Sequence, residues 1–142
     1  MGAMMTIQVT FDTADPHAQA KFWAAALGYE VEDHSALVDD LVAQQRMPET
    51  DRIIVNGKSA FREVAACRDP AGEQPRFYFQ KVPEAKTAKN RVHIDIPVSD
   101  DQKLAEVQRL TGLGARLLWE TADRGARTYT MQDPEGNEFC LH

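Results

Sequence analysis

His93 and Asp95 stand two residues apart, and so do Glu138 and Cys140 near the C-terminus. In a strand, residues i and i+2 share a face, so each pair would present its two side chains together. A carboxylate beside an imidazole fixes the ring's tautomer and orientation, as general bases require. His93 with Asp95 or Glu138 is therefore a candidate acid–base set, suited to enolising or cyclising a carbonyl compound. Arg91, on the same strand face as His93, offers a cation to a ligand. Cys140 reads first as a small buried hydrophobe. The sequence places no histidine except terminal His142 to activate it, so Cys–His catalysis is not expected.

His93 also belongs to a repeat. His93-Ile-Asp-Ile-Pro-Val-Ser-Asp100 precedes a helical stretch ending at Leu113-Gly114, as Gln8-Val-Thr-Phe-Asp-Thr-Ala-Asp15 precedes one ending at Leu27-Gly28. Each copy is a strand, a capping aspartate, an amphipathic helix and a glycine stop. The repeat makes Gln8 and His93 equivalent, and such a period governs the fold assignment.

The 142 residues suit one domain, and 43% hydrophobic with 27% charged residues is globular composition. A net charge of -6 argues against a phosphate-backbone binder. The basic stretch Lys81 to Arg91 contains Pro83 and reads as a solvated linker. No apolar run reaches membrane-span length, and Met1-Gly2-Ala3-Met4 lacks a signal peptide's charged and apolar regions. Cys67 and Cys140 make no disulfide framework, and a reduced, cytoplasmic protein is expected.

The elements that must position these residues follow from alternation and caps. Ile7, Val9 and Phe11 alternate with Gln8, Thr10 and Asp12 in a strand covered on one side. Asp15-Pro16 starts a helix whose stripe is Phe22, Trp23, Ala26 and Leu27. Ser35 to Gln45 reads as an extra helix. Ile53 to Val55 and Phe61 to Cys67 flank the hairpin dipeptide Asn56-Gly57, and Arg76 to Lys81 is an aromatic strand. In the second copy, Val92, Ile94, Ile96 and Val98 face away from Arg91, His93 and Asp95. A helix from about Asp101 to Leu110 carries Leu104, Val107 and Leu110 on its apolar side. Strands are expected at Ala115 to Glu120, Arg127 to Gln132 and Glu138 to Leu141. Trp119 could face either way.

Asp133-Pro134-Glu135-Gly136-Asn137-Glu138-Phe139, with Ala14-Asp15-Pro16, Phe22-Trp23 and Leu27-Gly28-Tyr29, resembles the vicinal oxygen chelate superfamily. That superfamily includes glyoxalase I, bleomycin-resistance proteins and extradiol dioxygenases. Phe77 to Glu84 and Lys89 to His93 look like its glyoxalase-like subgroup common in actinobacteria. The resemblance implies an α+β fold of two tandem βαβββ modules, forming a curved mixed sheet (an incomplete barrel) around one cavity with helices outside. It implies one domain over residues 5–142, with module one at about 5–82, a linker at 83–90 and module two at 91–142. It also implies a homodimer and four metal positions. Two fall on Gln8 and His93, one on Cys140 where metal-binding members carry Glu, and one at or near Phe77 or Phe79.

With one carboxylate exchanged for a thiol and another for a phenyl ring, no tightly bound metal is expected. If a divalent ion does bind, its candidate ligands are Gln8, His93, Glu138 and Cys140, with Asp95 able to join. The leading expectation is metal-independent binding of a small, partly aromatic molecule. Gln8, Arg91, Phe77, Phe79 and Cys140 would contact it. The alternatives are a metal-dependent lyase, isomerase or dioxygenase, and a metal-free acid–base enzyme using His93.

Overall fold

The computed structural model describes residues 4–142; Met1, Gly2 and Ala3 of the opening tetrapeptide lie outside them. The chain divides into two compact units, Met1–Pro83 and Glu84–His142.

The first unit opens with strand β1 (Gln8–Thr13) and helix α1 (Pro16–Leu27). Asp15 caps the helix by accepting from the Ala18 amide at 3.1 Å, and Pro16 occupies a position where its missing N–H costs nothing. Gly28 ends the helix at φ 72°, a left-handed conformation that a side chain would strain. The helix buries Ala20, Phe22, Trp23, Ala24 and Ala26. After it come β2 (Glu30–Val31), α2 (Ser35–Ala43), β3 (Arg52–Val55), β4 (Lys58–Phe61), β5 (Val64–Arg68) and β6 (Arg76–Lys81). The main sheet has the order β1-β6-β5-β2, and β3 pairs with β4 alone.

The hairpin at Asn56-Gly57 forms as expected, with φ 50° and 78°, the positive pair a tight two-residue turn needs. Its second arm ends at Phe61, however, and Val64–Arg68 is a separate strand of the main sheet. The α2 helix and the β3–β4 hairpin are thus an insertion between the second and third strands of the module.

The second unit contains β7 (Ile94–Ile96), α3 (Lys103–Leu113), β8 (Arg116–Thr121), β9 (Thr128–Gln132) and β10 (Glu138–Leu141). Its sheet order is β7-β10-β9-β8. In both units the first strand runs parallel to the last, which is antiparallel to the third. The α+β class and the tandem βαβββ modules are therefore present. Two sequence expectations shift at the edges. Leu104 is 59% exposed, because α3 buries Lys103, Val107 and Leu110 instead. The Lys103 stem lies in that stripe, and its ammonium donates to Asp100 Oδ1 and to the Arg127 carbonyl oxygen, both at 2.7 Å. Val92 and Ile7 lie outside the strands and are exposed. No helix among the described residues is long and apolar enough to cross a membrane.

Candidate functional site

In the second unit, pairing lays one residue from each strand in a single row across the sheet. Asp95 on β7 opposes Cys140 on β10, Cys140 opposes Thr130 on β9, and Thr130 opposes Trp119 on β8. Residues in register share a face. A β-bulge between Leu117 and Trp119 shifts the β8 register; the extra residue re-aims the side chains beyond it and puts Trp119 on this face. The other face carries Tyr129, Met131, Phe139 and Leu141, all buried.

A hollow of about 320 Å³ opens on the Asp95–Trp119 row. His93, Thr121, Thr128, His142, Lys89 and Glu138 also line it. His93 Nδ1 lies 3.1 Å from Asp95 Oδ1, so the expected imidazole–carboxylate pair is formed. The Cys140 sulfur lies 3.5 Å from Thr130 Oγ1. One donor atom each from His93, Asp95 and Cys140 lie within 4.8 Å of one another. Nitrogen, oxygen and sulfur donors are thus neighbours on a partly exposed face.

Glu138 lines the hollow beside Cys140, as its spacing suggested, but its carboxylate is engaged by other groups. It is 7% exposed and accepts from Lys86 Nζ at 3.2 Å and from the Asn90 amide at 2.9 Å. Burial pushes its carboxyl up, but the Asn90 amide and the Lys86 ammonium outweigh burial and hold it below the usual value. Both acceptor oxygens are engaged in tying residues 86–90 to β10, so Glu138 serves as a brace within the lining of the hollow. Arg91 is exposed and does not line the hollow.

In the first unit, β1 and β6 pair with Gln8 opposite Arg76, Val9 opposite Phe77 and Thr10 opposite Tyr78. In the second, Ile94 opposes Phe139 and Asp95 opposes Cys140. Matching Gln8 to His93 therefore makes Tyr78, not Phe77 or Phe79, the counterpart of Cys140. Phe77 and Phe79 are 3% and 0% exposed and belong to the aromatic core beneath α1. Phe11 lies 5.3 Å from Phe77 and 5.1 Å from Phe79, and Trp23 lies 5.5 Å from Phe77, centroid to centroid. Neither ring reaches the open face, which corrects the expectation that one contacts a ligand.

Gln8 does stand on the open face of its sheet, where its Oε1 accepts from Arg76 Nη1 at 2.8 Å. Arg76 also clasps Glu32, with Nη2 to Oε1 at 2.9 Å, and stacks 5.4 Å above the Tyr78 ring. The hydrogen bond from Arg76 holds the Glu32 carboxyl below its usual range, against a smaller opposing effect of burial. The first unit's face thus presents a single arginine held among Gln8, Glu32 and Tyr78, where the second presents metal-type donors. Sequence reasoning missed Arg76 and Glu32 here, and Thr130 in the second unit, and it favoured Phe77 or Phe79 over their neighbour Tyr78. The alternation of Thr128, Thr130 and Gln132 against Tyr129 and Met131 was the available signal for Thr130.

The Glyoxalase-like domain family model matches residues 8–142. The chain belongs to the glyoxalase-like domain family. No curated protein matches its sequence. Among solved structures, the fosfomycin resistance protein FosX from Mesorhizobium loti aligns over 99% of this chain and 92% of its own, at 12% identity and TM-score 0.64. A possible glyoxalase from Bacillus cereus aligns over 98% of each chain at 18% identity and TM-score 0.61. A variant of FosX from Listeria monocytogenes, complexed with Mn(II) and 1S,2S-dihydroxypropylphosphonic acid, covers 100% of this chain and 90% of its own, at 14% identity and TM-score 0.62. At these identities the likeness is one of fold, and function belongs to the site.

Among the described residues of this glyoxalase-like chain, His93, Asp95 and Cys140 form a group with the donor atoms to hold a metal. Two ligands of one zinc ion, each about 2.0–2.1 Å from it, stand roughly 3.3 Å apart at a tetrahedral angle. The 3.1 Å separation of His93 Nδ1 and Asp95 Oδ1 suits a shared cation as well as a hydrogen bond. Three protein donors with open positions also match the donor count of a catalytic centre. The donor types therefore suit a divalent ion, and the set, spread over as much as 4.8 Å, would have to close around it. Glu138, spent on Lys86 and Asn90, is not part of it.

Proposed function

We propose that this glyoxalase-like protein binds a small oxygen-bearing organic molecule in the hollow of its second module, and that His93 moves a proton on it. The observation that carries this reading is the 3.1 Å contact between His93 Nδ1 and Asp95 Oδ1 inside the hollow. With Asp95 accepting the Nδ1 proton, Nε2 keeps its lone pair and acts as general base. It takes a proton from a carbon beside a carbonyl or from a hydroxyl, and Asp95 stabilises the imidazolium that forms. Trp119, 48% exposed, supplies the apolar and stacking surface, so a partly aromatic ligand is held by this ring instead of Phe77 or Phe79.

A thermal-shift screen of aromatic and oxygenated metabolites and antibiotics supplies the test ligand. Calorimetry and turnover then compare His93→Gln, Asp95→Asn and Trp119→Ala. His93→Gln should abolish proton transfer while leaving measurable binding, and Trp119→Ala should weaken binding. If none of the three variants changes binding or turnover, the site lies elsewhere.

A second reading rests on the convergence of His93, Asp95 and Cys140 donors within 4.8 Å. A divalent cation held there would supply Lewis-acid polarisation of the ligand's oxygen, with His93 and Asp95 orienting it. The Mn(II) complex of the Listeria FosX variant supports this by fold analogy. Elemental analysis of protein purified without a metal-affinity step separates the readings: near-equimolar metal after dialysis promotes the second. Under either reading we take a homodimer as the working assembly, which light scattering at high concentration tests.

A further inference from the structure

We propose that the second module's donor set selects thiophilic divalent cations, zinc foremost, over manganese and magnesium, with the Cys140 thiolate as the deciding ligand. This rests on the metal reading above and states which class of ion that site takes. The argument is from donor chemistry. Hard cations such as magnesium and manganese favour shells dominated by oxygen ligands, whereas thiolate favours zinc and softer ions. At the point where the strands converge, this chain offers one imidazole nitrogen, one carboxylate oxygen and one sulfur, from His93, Asp95 and Cys140.

The neighbouring carboxylate that would make the set harder is Glu138. Its oxygens are held by Lys86 and the Asn90 amide, and recruiting it would cost both of those contacts. Thr130 Oγ1, 3.5 Å from Sγ, is a weak neighbour for the thiol and does not compete with a cation for it. Binding breaks the S–H bond: the sulfur electron pair goes to the metal and the proton goes to solvent. Cys67 is an internal control. Burial in the first unit pushes its thiol up to about 12, so it has no comparable access to a metal.

The test uses full-length protein purified without a metal-affinity tag and stripped with chelator. Cobalt(II) is the spectroscopic stand-in for zinc, because a sulfur-bound cobalt ion shows a charge-transfer band in the near ultraviolet. We expect that band in the wild type, its loss on adding equimolar zinc, and its persistence in a hundredfold excess of manganese or magnesium. Cys140→Ser should remove the band and weaken zinc binding about 100-fold, at least the upper end of what outer-shell changes cost; Cys67→Ser should keep both. The wild-type band and the competition order need no variant, so a misfolded Cys140→Ser protein leaves the test intact. If no cation binds, the metal reading itself falls and this inference with it. If manganese competes as well as zinc, or folded Cys140→Ser holds zinc as tightly as wild type, this inference is overturned while the metal reading stands.

Discussion

Replacing Glu138 by alanine should cost stability and leave the site's chemistry in place. The carboxylate is 7% exposed and accepts from Lys86 Nζ and the Asn90 amide at 3.2 and 2.9 Å. A hydrogen bond to a charged group contributes about 1.5–3 kcal/mol, and removing one member of a buried ion pair costs about 3–5 kcal/mol. The Lys86 side chain keeps 24% exposure and can turn towards water, which places the loss near the lower bound, about 3 kcal/mol. At about 2–4 °C per kcal/mol for a chain near this size, the melting temperature should fall by roughly 6–12 °C. Glu138→Gln, which keeps an acceptor for the Asn90 amide, should lose about half as much. Thermal and urea denaturation at neutral pH read the cost, and cation or ligand binding is measured on the same proteins. If Glu138→Ala melts with the wild type while binding disappears, the reasoning fails. The carboxylate then belongs to the catalytic set that its spacing from Cys140 suggested.

Other outcomes follow from the same contacts. Phe79→Ala should destabilise the protein by about 3–5 kcal/mol, since the ring is fully buried against Phe11; an unchanged urea midpoint would show that the ring faces solvent or ligand. Glu32 and Glu138 are both held below the ordinary glutamate value of 4.5. As pH falls, the unfolded chain binds their protons first. Their stabilising contribution is therefore complete above about pH 4.5 and is lost as pH drops through the lower folded-state values. Urea midpoints from neutral pH down to pH about 3 should fall more steeply in the wild type than in Glu32→Gln; parallel curves would remove Arg76 as the cause.

Local chemistry made the elements legible in the sequence, and the repeat made the fold legible. Asp15-Pro16 and Gly28 bound a helix in any context, because they satisfy or release backbone groups within a few residues. Asn56-Gly57 turns a hairpin for the same reason. Asp133 closes its turn just as locally, its Oδ1 accepting from the Glu135 and Asn137 amides at 2.9 Å. The i, i+2 spacing was enough to join His93 to Asp95. Which face each strand turned to a neighbour was not encoded locally, because a shift of one residue reverses every side chain. The β1–β6 register put Tyr78 on the open face and sent Phe77 and Phe79 to the core. A bulge in β8 settled Trp119. Cys140 met Asp95 through the pairing of β10 with β7, and Glu138 was captured by Lys86 from 52 positions away. Those choices depend on which strands pair and what packs behind them, so only the tertiary structure decided them.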